Sequence, residues 1–241
     1  MKRIMLIGFV SLIVLGQPSW TASAQQPQQA QPRIDEFKMI TYQAVFLTKG
    51  PKWSPETPDL MPMIRAHREY MNGLLASGTA HIAGPFRGDG HLRGVLLLSG
   101  TPEQAKAIVE ADPGVKAGRY GFEILSWMGP EGWFQKAADI AQTETLYFGF
   151  LVTGENTAQI SKEETQTLMR GHLDYMNGQA KLGKLVMAGP LVNAAPRRGL
   201  IVYRVPTVGE AVSRASGDPM VKAGRMKPEF YEWSVPRGIL K

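Results

Sequence analysis

Hydrophobic and polar positions fall into the same pattern twice along this chain. Met39 to Leu47 and Leu146 to Val152 are apolar, aromatic and β-branched, which predicts buried strands. After each, apolar residues recur three and four positions apart, which predicts an amphipathic helix. His67, Tyr70, Met71 and Leu74 share one side of the first helix; His172, Tyr175 and Met176 share one side of the second. Short strands ending in Ala-Gly-Pro follow, His81 to Pro85 and Leu185 to Pro190, then third strands at Leu92 to Ser99 and Leu200 to Val205. A further helix and a last strand, Phe122 to Trp127 or Glu229 to Trp233, complete each run.

Local chemistry marks the element ends. Thr57-Pro58-Asp59 offers an N-cap with proline at the first helical position, and Ser161 to Glu164 reads as a capping box. The first helices end near Gly78 and Gly183. The second helices open with capping boxes at Thr101 to Gln104 and Thr207 to Glu210. Asp112 and Asp218 each precede a proline, which disfavours helix at the aspartate, so each stands where its helix stops. Asp89-Gly90 suits a tight turn. Glu131 to Glu144 is the connector, where Trp133, Phe134 and Ala137 suggest a short packed helix.

The two runs are an internal repeat. His67 matches His172, Gly84-Pro85 matches Gly189-Pro190 and Arg93-Gly94 matches Arg198-Gly199, all 105 residues apart. Asp112-Pro113, the Lys-Ala-Gly-Arg stretch from Lys116 and Trp127 match their partners at a spacing of 106, so one residue is inserted, most cheaply in the turn before Thr101. The order is βαββαβ twice, the ferredoxin-like motif, with two helices on one face of an antiparallel sheet. The bare face needs cover. The second copy is the obvious cover, so the expected fold class is α+β: two tandem ferredoxin-like repeats packed as an intrachain dimeric α+β barrel.

Ahead of the repeats, Lys2 and Arg3 precede an apolar run from Met5 to Gly16 and the small-residue pattern Ala22-Ser23-Ala24. That reads as a secretory signal over residues 1–24 cleaved after Ala24, and the apolar run is short for a membrane span. The Gln/Pro tract that follows is expected to be a disordered leader over 25–36. Repeat one is assigned to 37–130, the linker to 131–144, repeat two to 145–236 and a tail to 237–241. The chain has no cysteine, which removes disulfides and thiolate chemistry; with an export signal this points to a periplasmic or secreted protein. Signal removal lowers the formal charge from +6 to +4, with basic residues scattered rather than clustered, so nucleic acid is not an expected partner. Once the signal is gone, neither is a membrane.

Candidate chemistry centres on the histidines. A buried imidazole needs a partner for its polar nitrogens. Packing two antiparallel helices on one sheet face brings Asp112 toward His67 and Asp218 toward His172. Such a pair can act in general acid/base catalysis, the carboxylate fixing the tautomer. The same bond can equally serve only to lock helix to helix, and duplication alone would copy it. Substrate contacts are assigned to Arg65, Tyr70, Gly84 and Pro85, and to Arg170, Tyr175, Gly189 and Pro190, although Arg65 and Arg170 lie on another side of their helices. Gly84 and Gly189 also suit a strand end. Trp127 and Trp233 are core or pocket wall, and His81 and His91 have no histidine counterparts. The sequence contains no Gly-x-Ser-x-Gly elbow, P-loop or His-Glu-x-x-His motif.

Arg-x-His-x-x-Tyr on the first helix, Ala-Gly-Pro after the second strand, Asp-Pro after the second helix and a strand ending in Trp resemble the YCII-related (YciI-like) family, in two tandem copies over Met39 to Gly129 and Leu146 to Pro236. The resemblance implies a dimeric α+β barrel with a fold similar to muconolactone isomerase. It also implies a histidine–aspartate active-site pair, which maps onto His67 with Asp112 and His172 with Asp218, and no metal or organic cofactor. A chlorinated-hydroquinone dehydrochlorinase belongs to that family. The residue after Asp-Pro, often aromatic there, is Gly114 in one copy and Met220 in the other. The expectation is an exported lyase or isomerase acting on a small aromatic or anionic molecule, as a monomer with an internal pseudo-dimer or as a homodimer. The alternative is a non-catalytic ligand-binding or scaffold module.

Overall fold

The computed structural model describes residues 37–54 and 60–240. The expected signal peptide, the whole of the expected leader and the Thr57-Pro58-Asp59 cap lie outside the described residues. The first half runs β1 (Met39–Lys49), α1 (Leu60–Ser77), β2 (Ala80–Pro85), β3 (Leu92–Leu98), α2 (Pro102–Glu110), α3 (Pro113–Lys116) and β4 (Tyr120–Pro130). The second runs β5 (Thr143–Thr153), α4 (Lys162–Lys181), β6 (Leu185–Pro190), β7 (Arg197–Tyr203), α5 (Val208–Ser216), α6 (Pro219–Lys222) and β8 (Met226–Pro236). Each half forms a four-stranded antiparallel sheet, ordered β2-β3-β1-β4 and β6-β7-β5-β8.

Strand alternation sorts the side chains. From β1, Tyr42, Ala44 and Phe46 enter a core shared with Leu146, Phe148 and Phe150 of β5; Val45 and Leu47 turn instead to the first half's helices. The two sheets thus bury their helix-free faces in one cluster. They also touch at their edges. Arg87 N–H donates to Glu232 O and Val192 N–H to Ser126 O, both at 2.9 Å, and isolated bridges join Phe86 to Trp233 and Trp127 to Leu191.

Gly84 and Gly189 make this approach possible. A Cβ on Gly84 would lie 1.9 Å from Ser234 O, and one on Gly189 would lie 2.0 Å from Met128 O. The indole Nε1 of fully buried Trp233 donates to Gly84 O at 3.0 Å. These glycines admit the backbone of the other half, a tighter demand than ending a strand.

Several local expectations change in three dimensions. The strands run longer than their apolar cores, because pairing continues past the last buried side chain: β4 pairs with β1 all the way from Tyr120 to Pro130. The capping boxes at Thr101 and Ser161 are complete. At Thr207 only half the box forms, because Arg214 takes the Glu210 carboxylate at 2.7 and 2.9 Å. Asp112 and Asp218 not only follow α2 and α5 but cap the one-turn helices α3 and α6. The connector is not helical. Gly132 takes a positive φ of 67° and Phe134 bridges Leu240, while Trp133 Nε1 donates to Val186 O at 2.8 Å. The aromatic pair is thus held by β6 on one side and by Leu240, beyond β8, on the other. The inserted residue falls where the turn predicts, since Leu98 and Tyr203 occupy equivalent pairing positions and Thr101 and Thr207 equivalent caps.

Gly84→Ala or Gly189→Ala is expected to lower stability by about 1–3 kcal/mol through overpacking between the halves. Gly73→Ala, with open space around the added methyl inside α1, should raise it by about 0.5–1 kcal/mol. Urea denaturation of the three variants checks both signs.

Candidate functional site

The helix periodicity that buries Leu74 and half-buries Met71 places His67 over the start of α3. Its Nδ1 lies 2.7 Å from Asp112 Oδ2 and 2.9 Å from Oδ1. In the second half His172 Nδ1 lies 2.6 Å from Asp218 Oδ2. The aspartate side chains are 0% and 4% exposed, and those of the histidines 16% and 13%, so each carboxylate is sealed behind a ring that still reaches the surface of a cavity. The carboxylates do two jobs. Asp112 Oδ1 accepts the Gly114 N–H at 2.9 Å and Asp218 Oδ1 accepts the Met220 N–H at 2.8 Å, which caps the short helices and orients the second oxygen. An ionised carboxylate only accepts, so Nδ1 carries the proton and Nε2 is left for the cavity.

The rings line two cavities. His67 borders one of about 580 Å³, walled by α1, β2 and β3, and closed by Ser234 and Pro236 of the second half and by Ile140, Ala141 and Thr143. His172 borders one of about 840 Å³, closed by Met39 and Met128 of the first half. Each site is therefore completed by the other half of the chain. Both volumes lie in the range of ordinary small-molecule sites.

The other expected site residues divide. Gly84 and Pro85 line the first cavity and Gly189 and Pro190 the second. Arg65 and Arg170 are exposed and line neither. The Tyr70 hydroxyl donates to Ile108 O at 2.8 Å and the Tyr175 hydroxyl to Arg214 O at 2.6 Å, tying first helix to second beside each imidazole. Burial pushes both phenols above their ordinary pKa, and the nearby Asp112 or Asp218 charge adds to it. Neither tyrosine lines either of these two cavities.

Residues outside that expectation also shape the sites. Tyr120 packs against His67 with ring centres 4.7 Å apart and the rings tilted by 45°, and Arg68 and Arg93 reach the first cavity; Arg198 and Arg225 reach the second. Tyr120 follows directly on the repeated Lys-Ala-Gly-Arg, where the second copy has Met226, so this difference is visible in the sequence alone. His81 sits apart, bonded through Nε2 to Ser99 Oγ at 2.7 Å and stacked on Phe134 at 5.4 Å; burial holds its pKa below the usual imidazole value. Among the described residues no cluster of three or more His, Cys, Asp or Glu is placed to hold a metal ion.

Residues 147–234 match the family model described as YCII-related domain, so the second half carries that domain. No curated protein matches the sequence. Among solved structures, the fold is similar to a heme-binding protein from Thermus thermophilus, at 12% identity and a TM-score of 0.51, covering 85% of this chain and 95% of that one. It is also similar to a point mutant of chlorite dismutase from Candidatus Nitrospira defluvii, at 11% identity and a TM-score of 0.55, covering 83% of this chain and 92% of that one.

Asp112→Ala or Asp218→Ala removes a helix cap and the partner of a largely buried imidazole together. The expected loss is about 1–3 kcal/mol by urea denaturation, with the asparagine variants, which keep an acceptor for the cap, losing less. For His81 the lowered pKa means that the unfolded chain binds more protons just below the ordinary imidazole pKa, so stability falls as pH drops through about 6.5. His81→Gln should flatten that part of the curve of melting temperature against pH.

Proposed function

We propose that this chain is an exported small-molecule enzyme of lyase or isomerase type, YCII-like in both halves, with its paired sheets forming a closed α+β barrel. One observation carries the reading: in both halves an imidazole bonded through Nδ1 to a buried carboxylate borders a cavity of ligand size. Nε2 of the neutral ring accepts a proton from the substrate while Asp112 or Asp218 offsets the charge that forms on the ring. In an isomerisation the proton returns to a different atom of the same molecule. In an elimination it remains on the ring as the leaving group departs with its electron pair, and then passes to water. Among the described residues neither cavity is lined by an aspartate or glutamate, while each has two arginines, which favours an anionic substrate. The first half's place as a second YCII-like copy is supported by its repeated motifs and identical sheet order.

Heme, named for one of the similar structures, would need a side chain able to bind its iron beside an apolar wall. His172, with Asp218 behind it, is a fitting donor on the larger cavity and would be the residue to hold such a group, which when bound supplies iron redox chemistry. The acid/base reading does not depend on it. A competing reading, in which the imidazoles only pin helices, is favoured by the Tyr70 and Tyr175 tethers that fasten the same first helices to the helix just before each aspartate.

Thermal-shift screening of small aromatic and anionic molecules, with hemin among them, separates these readings. On the acid/base reading, ligands that raise the melting temperature of the wild type lose most of that effect on the His67→Ala/His172→Ala double variant. If every ligand stabilises both forms equally, the imidazoles lie outside the site.

A further inference from the structure

The two cavities descend from one pattern but are walled differently, and beside the imidazole the exchanges favour larger apolar side chains in the second. Where Thr143 enters the first cavity opposite Pro236, Met39 enters the second opposite Pro130. Ser234 and Met128 form a second such pair, at matching positions on β8 and β4. On the helices Arg68 is replaced by Leu173.

The floor beneath the imidazole is exchanged as a unit. Tyr120 lies across Gly114 so closely that a Cβ there would come within 2.5 Å of the ring. In the second half Met220 stands at the glycine's place and Met226 at the tyrosine's, and both line the cavity. A flat aromatic floor has become two flexible thioethers, and the space has grown from about 580 to about 840 Å³. Methionine adapts to irregular apolar shapes, whereas an aromatic ring packed 4.7 Å from the imidazole and tilted 45° to it is a stiffer wall. Arg198 and Arg225 keep a positive rim on the larger site.

Resting on the reading of both cavities as small-molecule sites, we propose that the halves have diverged in selectivity. The His67 cavity takes a compact planar anion. The His172 cavity takes a bulky anion with a large apolar body and tolerates variation in its shape.

Anilinonaphthalene sulfonate serves as the bulky probe and benzoate as the compact one. Two blocking variants, Ala158→Trp at the second cavity and Ala141→Trp at the first, sit at exposed lining positions outside the helices. Circular dichroism melts verify that both remain folded. Fluorescence titration is expected to show one naphthalene site per chain, weakened about tenfold or more by Ala158→Trp and less than about twofold by Ala141→Trp. Stabilisation by benzoate should show the opposite dependence. Two equal naphthalene sites, or loss through Ala141→Trp, overturns the divergence and leaves both cavities as ligand sites. Benzoate binding with no naphthalene site also overturns it. Failure of both probes to bind removes the small-molecule reading together with the divergence built on it.

Discussion

A βαββαβ half leaves one face of its sheet uncovered, and everything else in this molecule follows from how that face is hidden. Tyr42, Phe46, Phe148 and Phe150 are apolar side chains that water would solvate at a cost of about 25 cal/mol for each Å² exposed. Packing the two faces together buries them in one cluster. The tight points are the strand ends, where Gly84 and Gly189 have no side chain and the facing carbonyls of Ser234 and Met128 occupy the space a methyl would need. This packing also places β8 residues at the first cavity and β4 residues at the second. Neither site belongs to a single half.

The aspartates show how a local signal and a long-range contact can share one side chain. Asp-Pro starts a one-turn helix because the carboxylate caps it and proline sits at its first position. One oxygen is spent on the cap, so the other is aimed, and it meets an imidazole 45 or 46 residues away in sequence. A carboxylate so held is a better orienting partner than a free one, since its rotamer is set before any ligand arrives. The same rigidity serves helix pinning, and structure and chemistry need not compete for these residues.

The similar solved structures share this architecture at identities of 11 and 12%. Paired ferredoxin-like halves can house different chemistries, because the site is set by a few cavity-facing side chains rather than by the layers beneath them. Within this one chain the duplicated cavities already differ in floor, rim and size.

The sequence by itself determined the element order, the repeat and the pairing of each imidazole with the aspartate after its second helix. Those features depend on residues close together in the chain, or on the two-helix geometry of a single ferredoxin-like unit. Only the tertiary structure decided which side chains wall the cavities. Met39, Met128, Thr143 and Ser234 reach them from the opposite half, and no local periodicity records a contact across that distance. Arg65 and Tyr70 show the same limit from the other side: their positions near His67 along the helix suggested the site, but one turned to solvent and the other to a backbone carbonyl. Where a side chain ends depends on what packs against its helix, and that is settled only when the two sheets close over their shared core.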